Sequence, residues 1–238
     1  NFYTQNNLQD LNVIGALSKE NIDTIKQIEN VKNAEGKLNV SAVLDDNNDI
    51  TLSMNFIESN EISKFYIVEG KEFDANTKGV WVDNFFAQEN NLKIGDKLKI
   101  KYDGYVFEEE VVGFINVPDH LYDVKDESQL YPDHKTFGFA YASTKELEEY
   151  IKNADYLKYN NIMVDVDNKD KTNEVKEEIE EKIENSVIIN IEDTASYAQY
   201  QGEIEEGETY IGVFSGLFLF IALLSVVTTM TRVVKKQR

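Results

Sequence analysis

From Thr209 to Thr231 the chain has no charged residue over 23 positions. The stretch reads Tyr210-Ile211-Gly212-Val213-Phe214, then Leu217 through Leu224, then Val226-Val227. A helix crossing a bilayer needs roughly 20 apolar residues. At about 1.5 Å per residue this run reaches about 34 Å, against a hydrocarbon core of about 30 Å. A buried helix of a globular domain is usually shorter and keeps a polar face, and this run has none. The pattern predicts a membrane span over 209–231.

The flanks give an orientation. Arg232, Lys235, Lys236 and Arg238 follow the run with no acid among them, and Glu203, Glu205, Glu206 and Glu208 precede it with no base. Basic residues close to a span mark its cytoplasmic side. Residues 232–238 are therefore expected to form a cytoplasmic basic flank, and residues 1 to about 205 to lie outside the cytoplasm. Gly212 and Gly216 are four apart in the outer half of the run. That spacing suits close helix packing in lipid, and equally the ordinary glycine content of spans.

The rest of the chain is strongly acidic. It has 44 acids against 24 bases, a formal charge of −20. Removing the four terminal bases leaves 20 against 44 for residues 1–231. Such a surface repels nucleic acid. The absence of cysteine excludes disulfides, thiolate catalysis and Cys-ligated metal. A length of 238 residues suits one or two domains. The opening Asn1-Phe2-Tyr3 has neither Met nor a signal-peptide pattern, so the chain is expected to be part of a longer protein.

Periodicity predicts mixed helix and strand. Ser18 reads as an N-cap, and Ile22, Ile25, Ile28 and Val31 predict a helix from 18 to about 30. Leu38, Val40, Ala42 and Leu44 alternate with polar neighbours, as do Ile50, Leu52, Met54 and Phe56, around Asp45-Asp46-Asn47-Asn48-Asp49. This is a hairpin pattern. A calcium loop fails there: counted from Asp45, the required Gly and Glu positions hold Ile50 and Phe56. Residues 64–70 and 80–83 read as strands, and 84–91 as a helix. Leu98, Ile100 and Tyr102 alternate with Lys97, Lys99 and Lys101 before Asp103-Gly104. With Tyr105-Val106-Phe107 beyond it, this is the strongest hairpin signal in the chain, and it lets the lysines face Glu108 and Glu110. Ser143 and Glu146 fit a capping box. Ile162–Val164, the Val175/Ile179/Ile183 stripe and Val187–Ile189 form a β-α-β passage. Tyr197, Tyr200 and Ile204 predict a helix running into the span as a stalk.

Motifs for chemistry are missing. The chain has no GxxxxGK[ST], GxGxxG, GxSxG or HExxH, so neither a nucleotide cofactor nor a catalytic centre is expected. Pro118-Asp119-His120 and Pro132-Asp133-His134 repeat one triplet and hold both prolines and both histidines. Asp119, His120, Asp133 and His134 could ligate a metal. Two rigid turns account for them more simply, so no metal is expected.

Four stretches resemble a known family. Ile67 through Phe73 resembles a conserved strand of MacB-type periplasmic core domains. Val80 through Ala87, with Leu92 through Leu98 and its Ile94-Gly95-Asp96, resembles the next motif. Phe107 through Ile115 resembles the strand after it. Gly212 to Arg232 resembles the start of an FtsX-like permease domain. Leu121–Lys135 has no counterpart.

The resemblance implies an ABC transporter permease subunit of the MacB/FtsX-like superfamily, α+β in class. It implies a porter-like α/β part, assigned to 8–60 and 155–205, and an inserted β-rich part at 61–154. Together these make an exterior core domain over 1–205, followed by a stalk and one transmembrane helix at 209–231. It also implies a cytoplasmic ABC ATPase subunit as partner, further transmembrane helices of the same permease, and a homodimer or paired permease. The function implied is transmission of ATP-driven motion to a peptide, lipoprotein or drug. Two alternatives stand beside it: an FtsX-type regulator of a cell-wall hydrolase, and a membrane-anchored sensor or binding module without an ATPase. The Lys- and Asn-rich, Cys-free composition is compatible with a single-membrane bacterium.

Overall fold

Leu11, Val13 and Leu17 are buried along strand β1 (Leu11–Leu17). The computed structural model describes residues 7–117, 133–151 and 159–236. Ser18 then caps helix α1 (Lys19–Lys26): its hydroxyl accepts from the Asn21 amide, and the Asn21 side chain accepts from the Ser18 amide at 2.8 Å. The helix is shorter than its period predicts. Asn30 takes a left-handed φ of 66° and turns the chain, so Val31 opens a strand. Ile28 remains buried beside Ile22 and Ile25 from the turn, which is why the spacing continued past the helix.

Strand β2 (Val31–Leu44) is also longer than the alternation showed. Residues 34–37 are buried on both faces, and Glu35 and Lys37 hid them as polar positions. Strand β3 (Asn47–Ile57) pairs with it antiparallel, and Leu44 opposes Asn47. The connection is thus only Asp45-Asp46, and most of the expected acidic turn is strand.

The sequence next places β4 (Tyr66–Gly70), β5 (Val80–Asp83), α2 (Asn84–Glu89) and the hairpin β6 (Lys97–Tyr102) and β7 (Tyr105–Asn116). Asp103 and Gly104 have φ of 48° and 82°, the positive values a two-residue turn of this kind needs. Lys97 opposes Glu110 and Lys99 opposes Glu108 as expected, and Lys97 Nζ sits 2.7 Å from Glu108 Oε1. Strand β8 (Phe137–Ser143) leads into α3 (Thr144–Ile151). The Ser143/Glu146 capping box does not form as predicted. Ser143 Oγ accepts from the Lys145 amide, while Glu146 Oε1 accepts from the Gly79 amide at 2.9 Å. Strand β9 (Tyr159–Val166), helix α4 (Thr172–Lys182) and strand β10 (Val187–Asn190) complete the expected β-α-β passage. Val175, Ile179 and Ile183 are all buried.

The strands form one sheet in the order β10-β1-β9-β2-β3-β8-β5-β7-β4. Its first part interlocks two β-α-β units. Strand β9 lies antiparallel between β1 and β2, and β1 lies antiparallel between β9 and β10. Helices α1 and α4 cover it through Ile22, Ile25, Val175 and Ile179 over Leu11, Val13, Ile162 and Val164. Its second part closes on itself, because β6 pairs with both β2 and β7. The circuit β2-β3-β8-β5-β7-β6 is a six-stranded barrel. Its core includes Leu52, Met54, Val80, Val82, Leu98, Ile100 and Val111, with Phe86 brought in from α2. Outside the barrel wall, Trp81 packs on Phe65, Phe73 and Tyr141, and its indole N–H donates to Lys71 O at 2.7 Å. The chain divides into two compact units, Asn1–Ser196 and Tyr197–Arg238.

The described part of the second unit, 197–236, lies within α5 (Ala195–Lys236), one unbroken helix of 42 residues. This helix covers the residues of both the expected stalk and the expected span. Every described side chain from Phe214 to Met230 is exposed. Among the described residues no helix is long and apolar enough to cross a membrane. The span expected over 209–231 rests on the sequence alone.

The Phe86 ring lies flat against β8 because position 138 is glycine. A Cβ there would fall inside the ring, and Phe86 is fully buried. Gly138→Ala is expected to cost about 1–3 kcal/mol through overpacking. Urea unfolding of the exchanged chain measures this as a lower midpoint at unchanged slope.

Candidate functional site

The first unit has two features that local sequence chemistry builds with care. One is the junction where the chain comes into the sheet and leaves it. Leu11 at the start of β1 opposes Asn190 at the end of β10. Asp10 O accepts from the Ile191 amide at 2.9 Å, and the Asp10 amide donates to Val164 O at 2.8 Å. Charge fastens this corner. Asp10 Oδ2 accepts from the Val166 amide and from Lys169 Nζ, both at 2.6 Å. Asp165 accepts from Lys32 Nζ at 2.8 Å, Asn7 Nδ2 at 3.1 Å and Lys169 Nζ at 3.3 Å. Burial pushes the Asp165 carboxyl upward, but the Lys32 and Asn7 hydrogen bonds and the Lys169 charge outweigh it and hold it below 3.8. Nearby, Glu35 holds the 58–65 segment onto β2, accepting from the Ile62 amide at 3.2 Å. Burial raises its pKa above 4.5 despite hydrogen bonds from Ser59, Ile62 and Glu61.

The other feature is a cavity of about 410 Å3 in the barrel. Phe86 fills the lumen where β8 begins. The opposite end is open, lined by Leu38 and Val40 of β2, Met54 and Phe56 of β3, Phe107 of β7 and Leu147 of α3. Strand β6 meets β2 only at Val43 and Leu44. Below that point the Asn160 side chain stands in for a neighbouring strand, accepting from the Asn39 amide at 2.8 Å and donating to Asn39 O at 2.6 Å. The hairpin register places Ile100 opposite Phe107 and Leu98 opposite Glu109. The middle of the Glu108-Glu109-Glu110 run thus faces the lumen.

Sequence reasoning missed this site, although the hairpin contained its signal. A two-residue Asp-Gly turn fixes the pairing, and the apolar face of β6 then selects Glu109 as the inward carboxylate.

The expected site residues are dispersed. Gly212 and Gly216 both lie in α5, and a Cβ at Gly216 would meet nothing within 4 Å. Arg232 is exposed on the same helix, which also contains Lys235 and Lys236, and Arg238 is outside the described residues. Of the repeated triplets, Asp119 and His120 fall outside the described residues. Asp133 caps a turn: its carboxylate accepts from Thr136 Oγ1 at 2.6 Å and the Lys135 amide at 3.2 Å. The Thr136 bond leads in lowering its pKa. His134 stacks on Phe85 at 5.2 Å and approaches Asp83, the N-cap of α2, at 3.8 Å. Among the described residues no group of three or more His, Asp or Glu could hold a metal. The Ile94-Gly95-Asp96 motif is a turn. Gly95 takes φ 93°, and Gly95 and Asp96 exchange 2.8 Å backbone bonds with Val111.

The sequence matches no protein-family model and no curated protein. Solved structures share its fold. The extracellular domain of the noncanonic ABC-type transporter YknZ from Gram-positive bacteria aligns with a TM-score of 0.51 at 13% identity, over 76% of this chain and 99% of that one. The periplasmic region of MacB from Actinobacillus actinomycetemcomitans aligns with 0.51 at 10% identity, over 82% of this chain and 92% of that one. The fold is that of the exterior domains of ABC-type transporters, as the short motifs had implied.

Asp165 generates a pH prediction. Its folded pKa lies below the unfolded value of 3.8, so its contribution is present above that value and is lost as pH falls through the depressed one. Asp165→Asn is expected to destabilise at pH 7 by about 1–3 kcal/mol. Denaturant midpoints taken from pH 7 to pH 2 should converge for the two chains at the acid end.

Proposed function

We propose that residues 1 to about 205 are the exterior domain of an ABC-type permease subunit and that the apolar part of α5 anchors it in a membrane. The shared fold supports the exterior domain, and the junction is the observation that carries the mechanical reading. The strand that opens the domain, β1, and the strand that precedes α5 in the chain, β10, are hydrogen-bonded neighbours, and Asp10, Asp165, Lys32 and Lys169 tie the start of β1 to β9 and β2. In this reading, motion that reaches β10 would pass directly into β1 through their shared ladder.

The span reading rests on 209–231. A helix of 42 residues extends about 63 Å, roughly twice the hydrocarbon thickness, so one helix can supply both stalk and span. Its described apolar side chains face outward on all sides, as a lipid-facing helix requires. Arg232, Lys235, Lys236 and Arg238 would lie on the cytoplasmic side. In this reading 8–60 with 155–205 is the porter-like part and 61–154 the inserted part, although the barrel borrows β2 and β3 from the former. The chain is non-catalytic. A separate cytoplasmic ATPase would drive it to export or extract a peptide, lipoprotein or drug, with other spans of the permease alongside and a second permease copy or partner completing the assembly.

Two measurements test this. Purifying the full-length parent from its native membrane should recover a P-loop ATPase in stoichiometric amount. Its absence, under detergent conditions that preserve a control transporter, would overturn the permease reading. Because the chain has no cysteine, single cysteines report topology cleanly. Asn47→Cys at the exposed start of β3 should react with an impermeant maleimide on intact cells, and Gln237→Cys only after lysis. The reverse pattern would sink the orientation.

A further inference from the structure

We propose that the segment 58–65 is a proton-sensitive strap, which grips β2 more firmly when Glu35 takes up a proton. The inference does not depend on the permease reading. The segment runs from the end of β3 to the start of β4 and lies outside both strands. Individual bonds hold it instead of a ladder. Ser63 has a left-handed φ of 48°, which a serine keeps only where its surroundings impose it. Its amide donates to Asn7 O at 2.7 Å, and its hydroxyl accepts from the Gln9 amide at 3.1 Å and donates to Gln9 Oε1. Asn7 Nδ2 donates to Glu61 O at 3.0 Å, and Tyr159 donates to Glu58. At the far end Phe65 is buried against Trp81 and Tyr141, with ring centroids 6.4 and 5.1 Å away. The strap thus ties the chain entry at 7–9 to the aromatic cluster outside the barrel wall.

Glu35 of β2 lies beneath it, 7% exposed. Its Oε2 accepts from the Ile62 amide at 3.2 Å and the Glu61 amide at 3.4 Å. These bonds favour the carboxylate, and burial favours the neutral acid. Burial leads, so the folded pKa lies above 4.5. On the strap, the Glu61 charge pushes the same way, and Glu58, Glu61 and Lys64 are themselves exposed. On β2, Lys37 lies two residues along on the same face. On β9, Met163 is opposite and Asp165 is one diagonal place away. Asp165 and Asp10 both pair with Lys169. When the strap opens, the Glu35 carboxyl meets water and returns to its ordinary value, so closing is linked to proton uptake. This contribution to closure is fully present below 4.5 and is lost as pH rises through the raised value.

Hydrogen exchange of the full chain in mild detergent, read by mass spectrometry from pH 5 to pH 8, tests the strap. Each rate is divided by that of an unstructured chain at the same pH. Protection of 58–65 should rise about three- to tenfold from pH 8 to pH 5, the scale of one titrating group, while 160–166 in β9 stays constant. Glu35→Gln should hold the acid level of protection at every pH. Ser63→Gly removes the Gln9 contact and should lower protection throughout while keeping the pH step. If Glu35→Gln does not fold, the native and Ser63→Gly profiles carry the test. Strap protection that is flat or falls on acidification would overturn the proposal, because the ionised carboxylate would then hold the segment at least as well. Equal changes in 58–65 and 160–166 would overturn it too, because opening would then be global.

Discussion

Strand β2 belongs to two assemblies at once, and the rest of the first unit depends on how its halves divide. Residues 31–37 pair with β9, residues 37–44 pair with β3, and the last two also pair with β6. On the helix-covered side, Ala34 and Gly36 lie beneath α1. A Cβ at Gly36 would approach Ile22 Cδ1 and Tyr159 Cδ1 to 2.6 Å each, so glycine is what allows α1 to sit so close. On the other side Glu35 and Lys37 are buried. A slip of one residue would exchange these sets and place two charged side chains under the helix, a cost that fixes the register. Further along, the same register directs Leu38, Val40 and Ala42 into the barrel. One strand thus sets the helix layer and the lumen together.

How much of this was readable depended on whether the information was local. Helix α1, the Asp-Gly hairpin, β5 with α2, and the Val175/Ile179/Ile183 stripe were legible because a period or a turn residue lies inside each. Strand β1 was not read, because Asn12 and Gly15 interrupt its apolar pattern. Strand β8 was not read either, because Gly138, Ala140 and Ala142 leave space for other elements and carry little hydrophobic signal. Closure of the barrel was out of reach. It needs β3 beside β8 and β5 beside β7, both parallel and both joined by long connections, and no short-range pattern encodes such pairs. The junction was hidden for the same reason: Leu11 and Asn190 meet only once the whole unit has folded.

The two features of interest occupy different regions of one continuous sheet. The junction lies on β10 and β1, and the cavity is walled by β2, β3, β6, β7 and β8. Only β9 separates β1 from β2. The charged pair next to the junction, Asp165 and Lys32, sits on β9 and β2, the two strands that lead toward the barrel. Rigidity at the corner and shape at the lumen therefore share a backbone, and a displacement of the β1–β10 pair would be felt within two ladders at Leu38.

The inward carboxylate shows how a single turn can decide chemistry. Glu108, Glu109 and Glu110 are equivalent as composition, and two of them end on the surface opposite Lys99 and Lys97. The turn at Asp103-Gly104 removes the ambiguity because both residues accept positive φ, which holds the loop to two residues. Lengthening the loop by one would reverse every side chain on one strand relative to the other. Leu98 and Ile100 would then face inward against Glu108 and Glu110. As built, the hairpin spends two carboxylates on surface pairs that contribute little to stability and reserves the third for the lumen.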